Sequence, residues 1–330
     1  MREDGRIPSP TVRSSVRLRP FTLSIVAVSA LLLSGCAGAG NDAPSPDASG
    51  AADLCAAVSD SGAASEAVEV SGEVGEPSTV TFEAPLEIAE KQVSIVEPGD
   101  GDKVTAGDFV TYALSAFNPE TGEEIATAGY EPGEMFPSQI SADSVLGQTL
   151  GCNPIGTRVV AAFPKTEETA AEIYVLDLLS IVPTAAWGEP QEPVAGMPEV
   201  TLADDGAPTV TVPDGDAPTE TTLATLKQGD GYEVQSGDAV LIQYWGVRWS
   251  NGESFDSTWA KGGVPYAQQT TSFVTGFQKA LDGHTVGSQV LVVIPPAEGY
   301  GAGEINTTDL KGETLIFVVD ILGAQHIPTE

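Results

Sequence analysis

The sequence predicts an α+β fold built twice in tandem, each copy an antiparallel β-sheet curled around one short α-helix. Three observations carry this expectation. The second half of the chain repeats the first; short runs of β-branched residues alternate with glycine, asparagine and proline clusters; and a single brief stretch, 272–281, reads as helical. The 24 prolines and 36 glycines among 330 residues oppose long helices, while a hydrophobic share of 41% can fill two cores of common size.

The first segment, 1–35, reads as a secretory signal. Arg2, Arg6, Arg13, Arg17 and Arg19 precede an apolar run from Phe21 to Leu33, too short to span a bilayer as a permanent helix. The ending Leu33-Ser34-Gly35-Cys36 resembles the lipobox of bacterial lipoproteins, which implies lipidation of Cys36 and anchoring at the extracytoplasmic face of the membrane. Removing 1–35 takes five of 14 basic and two of 47 acidic residues, leaving 9 and 45 and a net charge of about −36. Such a chain is a poor ligand for nucleic acid or anionic lipid. Residues 36–65, rich in Ala, Gly, Ser, Pro and Asp, read as a flexible tether. Cys55 and Cys152 are an even pair in an exported chain, to be read either as a disulfide or as two buried thiols.

Two domains follow, 66–184 and 199–330, joined by a linker at 185–198 around Gly188-Glu189-Pro190-Gln191-Glu192-Pro193. Adding 130 to residue numbers lays Thr79-Val80-Thr81 on Thr209-Val210-Thr211, and Gly107-Asp108 on Gly237-Asp238. The offset then becomes 131, pairing Gly156 with Gly287, and ends at 143, pairing Ile173–Asp177 with Ile316–Asp320. Twelve residues are therefore missing from the first copy near its end. In the second copy Thr270-Thr271-Ser272 is placed to cap the helix.

The second copy carries an ordered series: Tyr244-x-Gly246, Asn251-Gly252, Phe255-Asp256, Val274-x-Gly276-Phe277, Leu281-x-Gly283, Ile294-Pro295-Pro296, Gly299-Tyr300-Gly301 and Leu315-Ile316-Phe317-Val318-Val319-Asp320. Over about 120 residues this series closely resembles the FKBP-type peptidyl-prolyl cis/trans isomerases. The resemblance implies two FKBP-like domains, an isomerase in the second, and no metal or other cofactor. It assigns catalysis to Tyr244, Phe255, Asp256, Tyr300 and Phe317, and substrate binding to Tyr266, Phe273, Val274, Phe277 and Ile305. Val274 matches the family's backbone N–H donor, Tyr300 a hydroxyl donor, and Phe277 the floor position that many members fill with tryptophan. Lys261 is a candidate cation for Asp256, and the loop after Gly301 departs from the family in offering Ile305 and Asn306-Thr307-Thr308.

The first copy fails the same test. Tyr244, Phe255 and Asp256 fall on Leu114, Ile125 and Ala126, and the Tyr300 loop lies in the missing residues. It is expected to be catalytically silent, with Phe136, opposite Tyr266, lining a shallow apolar groove. His284 and His326 read as surface residues. The expected function is isomerisation of X–Pro bonds in exported proteins, with proline-containing segments and macrolides as ligands. The competing readings are a non-enzymatic peptide-binding lipoprotein and, with less support, a solute-binding one.

Overall fold

The computed structural model describes residues 53–328, so the signal segment and Cys36 lie outside the described residues. Two antiparallel sheets dominate. In the first, the strand order is Gln92–Glu97, Arg158–Phe163, Glu172–Ile181, Phe109–Phe117, Glu124–Ala128, with Ser138–Gln139 also paired to Phe109–Phe117. The second runs Ser254–Ser257, Ala239–Arg248, Leu315–Gln325, Gln289–Ile294, Thr222–Gln228, Glu189–Pro190, with Tyr266–Gln269 beside Ala239–Arg248.

The two sheets share their register. Leu114 pairs with Leu176 as Tyr244 pairs with Val319, and Ala161 with Tyr174 as Val292 with Phe317. The bulges recur too: at Thr111/Tyr112 and Leu241/Ile242, and again at Ala116/Phe117 and Gly246/Val247. A bulge flips the side chains beyond it to the other face, so matching bulges keep matching faces. The largest difference between the sheets is the connection before the last strand, which spans 295–314 in the second copy and 164–171 in the first.

Both faces of each sheet are covered, which explains why Gln289–Ile294 and Leu315–Gln325 read as continuous apolar runs rather than alternations. One face of the second sheet packs Val240, Ile242, Val292, Phe317 and Val319 around the short helix. The other packs Leu291, Val293, Ile316 and Val318 against the Glu199–Leu202/Pro208–Thr211 hairpin through Val200 and Val210. The first sheet repeats both clusters, its outer hairpin being Glu69–Ser71/Thr79–Thr81.

Several expectations are corrected. The helix covers only Thr275–Gln278; Ala280 and Leu281 continue through i→i−3 turns. Thr270–Ser272 is a separate 3-10 turn and does not cap the helix, whose N-cap position is Val274. The tether does not extend to residue 65. Leu54 is 5% exposed within the first core, Cys55 is bonded to Cys152, and Ala63–Glu66 forms a helical turn held by the Gln92 side chain. Small residues read as flexible in sequence here permit close approach: a Cβ at Gly62 would lie 2.5 Å from Gln92 Cδ. The linker is bolted down as well. Glu189–Pro190 extends the second sheet, the Gly188 N–H donates to the Gly287 carbonyl at 2.9 Å, and the Ala186 N–H donates to buried Asp320 at 2.7 Å. Phe136 lines no open groove; with Phe109 and Val182 it packs on Leu241 and Leu322 of the second sheet. His284 is half-buried, with a pKa lowered by desolvation, whereas His326 is exposed as expected, its Nδ1 lying 2.9 Å from buried Asp238.

Candidate active site

The Ala239–Arg248 strand presents Tyr244, Gly246 and Arg248 at alternate positions on one side. Across it, Gly246 pairs with Phe317 on one neighbour and with Asp256 on the other. Glycine at 246 is a steric requirement. A Cβ there would lie 2.8 Å from both Phe255 Cζ and Phe317 Cε1, so only a bare backbone lets the two rings meet, 5.5 Å apart and edge to face. The short helix approaches by the same device, since a Cβ at Gly276 would lie 2.3 Å from Ile294 Cγ2. That approach sets Phe277 4.9 Å from Phe317, stacks it on Phe273 at 4.6 Å, and brings it 6.2 Å from Tyr244. Tyr266 closes the rim, 6.3 Å from both Tyr244 and Phe273. Phe277 and Phe317 are 4% and 6% exposed, so the floor is dry.

One polar chain borders this apolar cluster. The Tyr244 hydroxyl donates to Asp256 Oδ2 at 3.0 Å, and Lys261 Nζ lies 2.5 Å from Asp256 Oδ1. Burial acts to raise the Asp256 pKa, but the Lys261 ammonium and the Tyr244 hydroxyl outweigh it and hold the carboxyl below its usual value. Burial, reinforced by the neighbouring Asp256 charge, pushes the Tyr244 hydroxyl well above the usual tyrosine value, so it remains a donor. The Val274 N–H meets no acceptor among the described residues, and the half-exposed Tyr300 hydroxyl likewise makes no hydrogen bond there. Both donors are open to a ligand.

The sequence-derived residues therefore divide. Tyr244, Phe255, Asp256, Tyr266, Phe273, Phe277 and Phe317 form one continuous cluster, with Val274 heading the helix beside it. Ile305 does not join them. It is 58% exposed and faces a separate cleft with Val212 and Trp249, while Leu310 packs against the aromatic core instead. Sequence reasoning also missed Arg248, whose guanidinium donates to the Asn306 and Asp309 carbonyls at 3.2 and 3.3 Å and lies 6.0 Å from the Phe255 ring centre. Its alternation with Tyr244 and Gly246 was the available signal. At the same positions the first sheet offers Leu114, Ala116, Ile125 and Ala126, with no polar chain and no long loop.

A family model described as FKBP-type peptidyl-prolyl cis-trans isomerase matches residues 231–322, the stretch that holds this cluster. A probable FK506-binding protein of Corynebacterium glutamicum is 36% identical over 101 residues, which are 29% of this chain and 80% of the relative. An FK506-binding protein of Streptomyces anulatus is 34% identical over 97 residues, 29% of this chain and 78% of the relative. Among solved structures, FkpA from Escherichia coli aligns with 21% identity and a TM-score of 0.30, covering 41% of this chain and 54% of that one.

Proposed function

Because the chain belongs to the FKBP-type peptidyl-prolyl cis-trans isomerase family, we propose that its second sheet carries that activity in the pocket walled by Tyr244, Phe255, Phe277 and Phe317. The chain is a peptidyl-prolyl isomerase; the proposal concerns where and how. The observation that carries it is the Tyr244–Asp256–Lys261 chain set at the edge of a dry aromatic cluster.

Rotating an X–Pro bond breaks amide conjugation against a barrier of about 18–20 kcal/mol. The planar amide is polar and well solvated by water; the twisted amide is less so. An aromatic floor that excludes water therefore favours the twisted state relative to the planar one. The Val274 N–H and the Tyr300 hydroxyl hold carbonyls flanking the proline, so the ends of the segment stay fixed while the prolyl bond turns. Asp256 is already oriented by Tyr244 and Lys261, so its dipole needs no rearrangement during rotation. The first repeat is an FKBP-like domain without the site. Its role is that of a spacer and a wall for client contacts.

The same proposal extends to the cellular setting. The arginine-rich start, the apolar run 21–33 and Leu33-Ser34-Gly35-Cys36 support export and lipid attachment at Cys36, with proline-containing segments of exported proteins as substrates. The Cys55–Cys152 bond is in keeping with an oxidising compartment. The deciding experiment measures cis/trans exchange of a Xaa-Pro peptide by NMR with the full chain and its Asp256→Ala and Tyr244→Phe variants. Catalysis reduced at least about tenfold in Asp256→Ala supports the site; unchanged catalysis in both variants moves it elsewhere. Cys36→Ala is expected to release the protein from the membrane fraction, and retention without acyl label refutes the anchor.

A further inference from the structure

A cleft of about 350 Å³ lies between the two sheets, away from the aromatic cluster that serves isomerisation. Its lining comes from three places: Tyr130, Pro132 and Met135 on a loop of the first repeat, Tyr232 and Val286 of the second, and Trp187 on the connecting segment. The volume falls at the small end of the range for ligand pockets.

The walls are fixed. Trp187 rests on Gly287, where φ is +93° and a Cβ would sit 2.9 Å from the indole Cε2. Tyr232 rests on Gly133, where φ is +84° and a Cβ would sit 2.5 Å from the ring. The residue before Trp187 is pinned twice, its N–H to Asp320 at 2.7 Å and its carbonyl to Lys227 Nζ at 2.7 Å. The two repeats are also latched at one end of the cleft, where the His326 N–H donates to the Gly133 carbonyl at 2.8 Å. Yet Trp187 remains 44% exposed, and its indole N–H meets no acceptor among the described residues.

We propose that this cleft docks a second, extended segment of the client polypeptide, one that carries proline next to arginine or lysine. Flat aromatic faces suit pyrrolidine rings, and a polyproline-like segment leaves its carbonyls free for a donor such as the Trp187 indole. The charge selects the flanking residue. Glu131 lines the cleft, no lysine or arginine does, and the chain carries a net charge of −33. A guanidinium can stack on Trp187 or Tyr130 while pairing with Glu131. Catalysis on a short peptide needs none of this. A long client held here would be presented repeatedly to the isomerase site, and in that respect the occupant rests on the isomerase reading.

The test uses the full chain and three fluorescein-labelled nonapeptides, repeats of Ala-Arg-Pro, Ala-Arg-Ala and Ala-Glu-Pro. Anisotropy titrations are read alongside the indole N–H resonances of the four tryptophans and kcat/KM on a single-proline tetrapeptide. The expected result is preferential binding of the Ala-Arg-Pro repeat with a shift of the Trp187 indole resonance. Trp187→Ala should weaken that binding about tenfold, and Glu131→Gln should remove the preference over Ala-Glu-Pro, both with tetrapeptide kcat/KM unchanged. Should Trp187→Ala fail to fold, the wild-type indole shift and the surface variant Glu131→Gln still decide. Equal binding of Ala-Arg-Ala, an unmoved Trp187 resonance, or binding abolished by Asp256→Ala would overturn the proposal. Loss of the isomerase reading would register separately, as absent tetrapeptide turnover in the unmodified chain.

Discussion

Replacing Gly246 with alanine adds one methyl group at the point where Phe255 and Phe317 meet. Its carbon would lie 2.8 Å from Phe255 Cζ, 2.8 Å from Phe317 Cε1 and 3.2 Å from Phe255 Cε1. Carbon atoms settle about 3.5–4.0 Å apart, so both rings must retreat by roughly 0.7 Å or more. Overpacking of this kind costs about 1–3 kcal/mol. Alanine recovers about 0.5–1 kcal/mol of that by restricting the unfolded chain. The net loss of up to about 2.5 kcal/mol lowers Tm by several degrees in a protein of this size, so the variant folds. Catalysis suffers more, because a displacement of about 1 Å within a site can cost on the order of a hundredfold. The assay is cis/trans exchange at 10 °C, with a thermal melt of the same sample. The expected result is at least a tenfold fall in kcat/KM. Ala116→Gly, at the same register position in the first sheet, is the control and should leave kcat/KM unchanged. Activity of Gly246→Ala within twofold of the parent, beside a lowered Tm, would show that these rings do not wall the reacting bond.

Asp256 is held below its usual pKa, Lys261 and Tyr244 outweighing burial. A depressed folded-state pKa contributes stability above the unfolded value of about 3.9, lost as pH falls through the lower folded value. Isomerase activity should therefore stay flat from pH 8 to about pH 4 and fall only below that, and Lys261→Ala should move the fall upward. The Cys55–Cys152 bond closes a loop with a sequence separation of 97 residues; Cys55→Ser with Cys152→Ser should cost about 2–4 kcal/mol in a denaturant titration, with peptide kcat/KM within twofold. Arg158, buried with Asp177 at 2.6 Å, also donates to the Gly72, Glu73 and Glu76 carbonyls. Arg158→Met leaves that carboxylate unpaired at about 3–5 kcal/mol. Arg158→Gln should cost less, because Gln289 makes that bond to Asp320, at 2.7 Å, in the other sheet; equal costs would refute the comparison.

What the sequence made legible was what backbone pairing and side-chain type determine together. The offsets of 130, 131 and 143 read from matched residues reappear in strand register, because each strand is buried on both faces and a slip of one residue would turn apolar side chains outward. The aromatic positions were legible through an ordered motif. Periodicity could not have found them, since Phe317 sits in a run that is apolar throughout. What stayed hidden depends on contacts far apart in sequence. Leu54 and Ala63–Glu66 look like tether because small residues carry no packing signal of their own until a partner such as Gln92 is placed. Ile305 was misplaced and Leu310 unnoticed because a loop's side-chain direction is set by its anchors, here Arg248 on two carbonyls, and no local pattern encodes that.

The site residues are absent from the first sheet as coupled groups, and the coupling is physical. Tyr244 and Asp256 satisfy one another across two strands; replacing only the tyrosine would leave a half-buried carboxylate with one partner fewer, at a cost of about 1–3 kcal/mol. Leu114 and Ala126, at the corresponding positions, avoid that cost by removing both polar groups. Gly246 is tolerable in mid-strand because two rings occupy the space its side chain would fill; with Ile125 in place of Phe255, that reason disappears and Ala116 closes the gap. Sheet and hairpin survive these exchanges because the bulges recur in both sheets, the outer face lies away from the pocket, and apolar replacements keep the inner face apolar. A single substitution in the first sheet, such as Ala126→Asp at an exposed position, should therefore change stability by no more than about 0.5 kcal/mol and create no activity. Only the joint restoration of tyrosine, carboxylate, glycine and loop could create it.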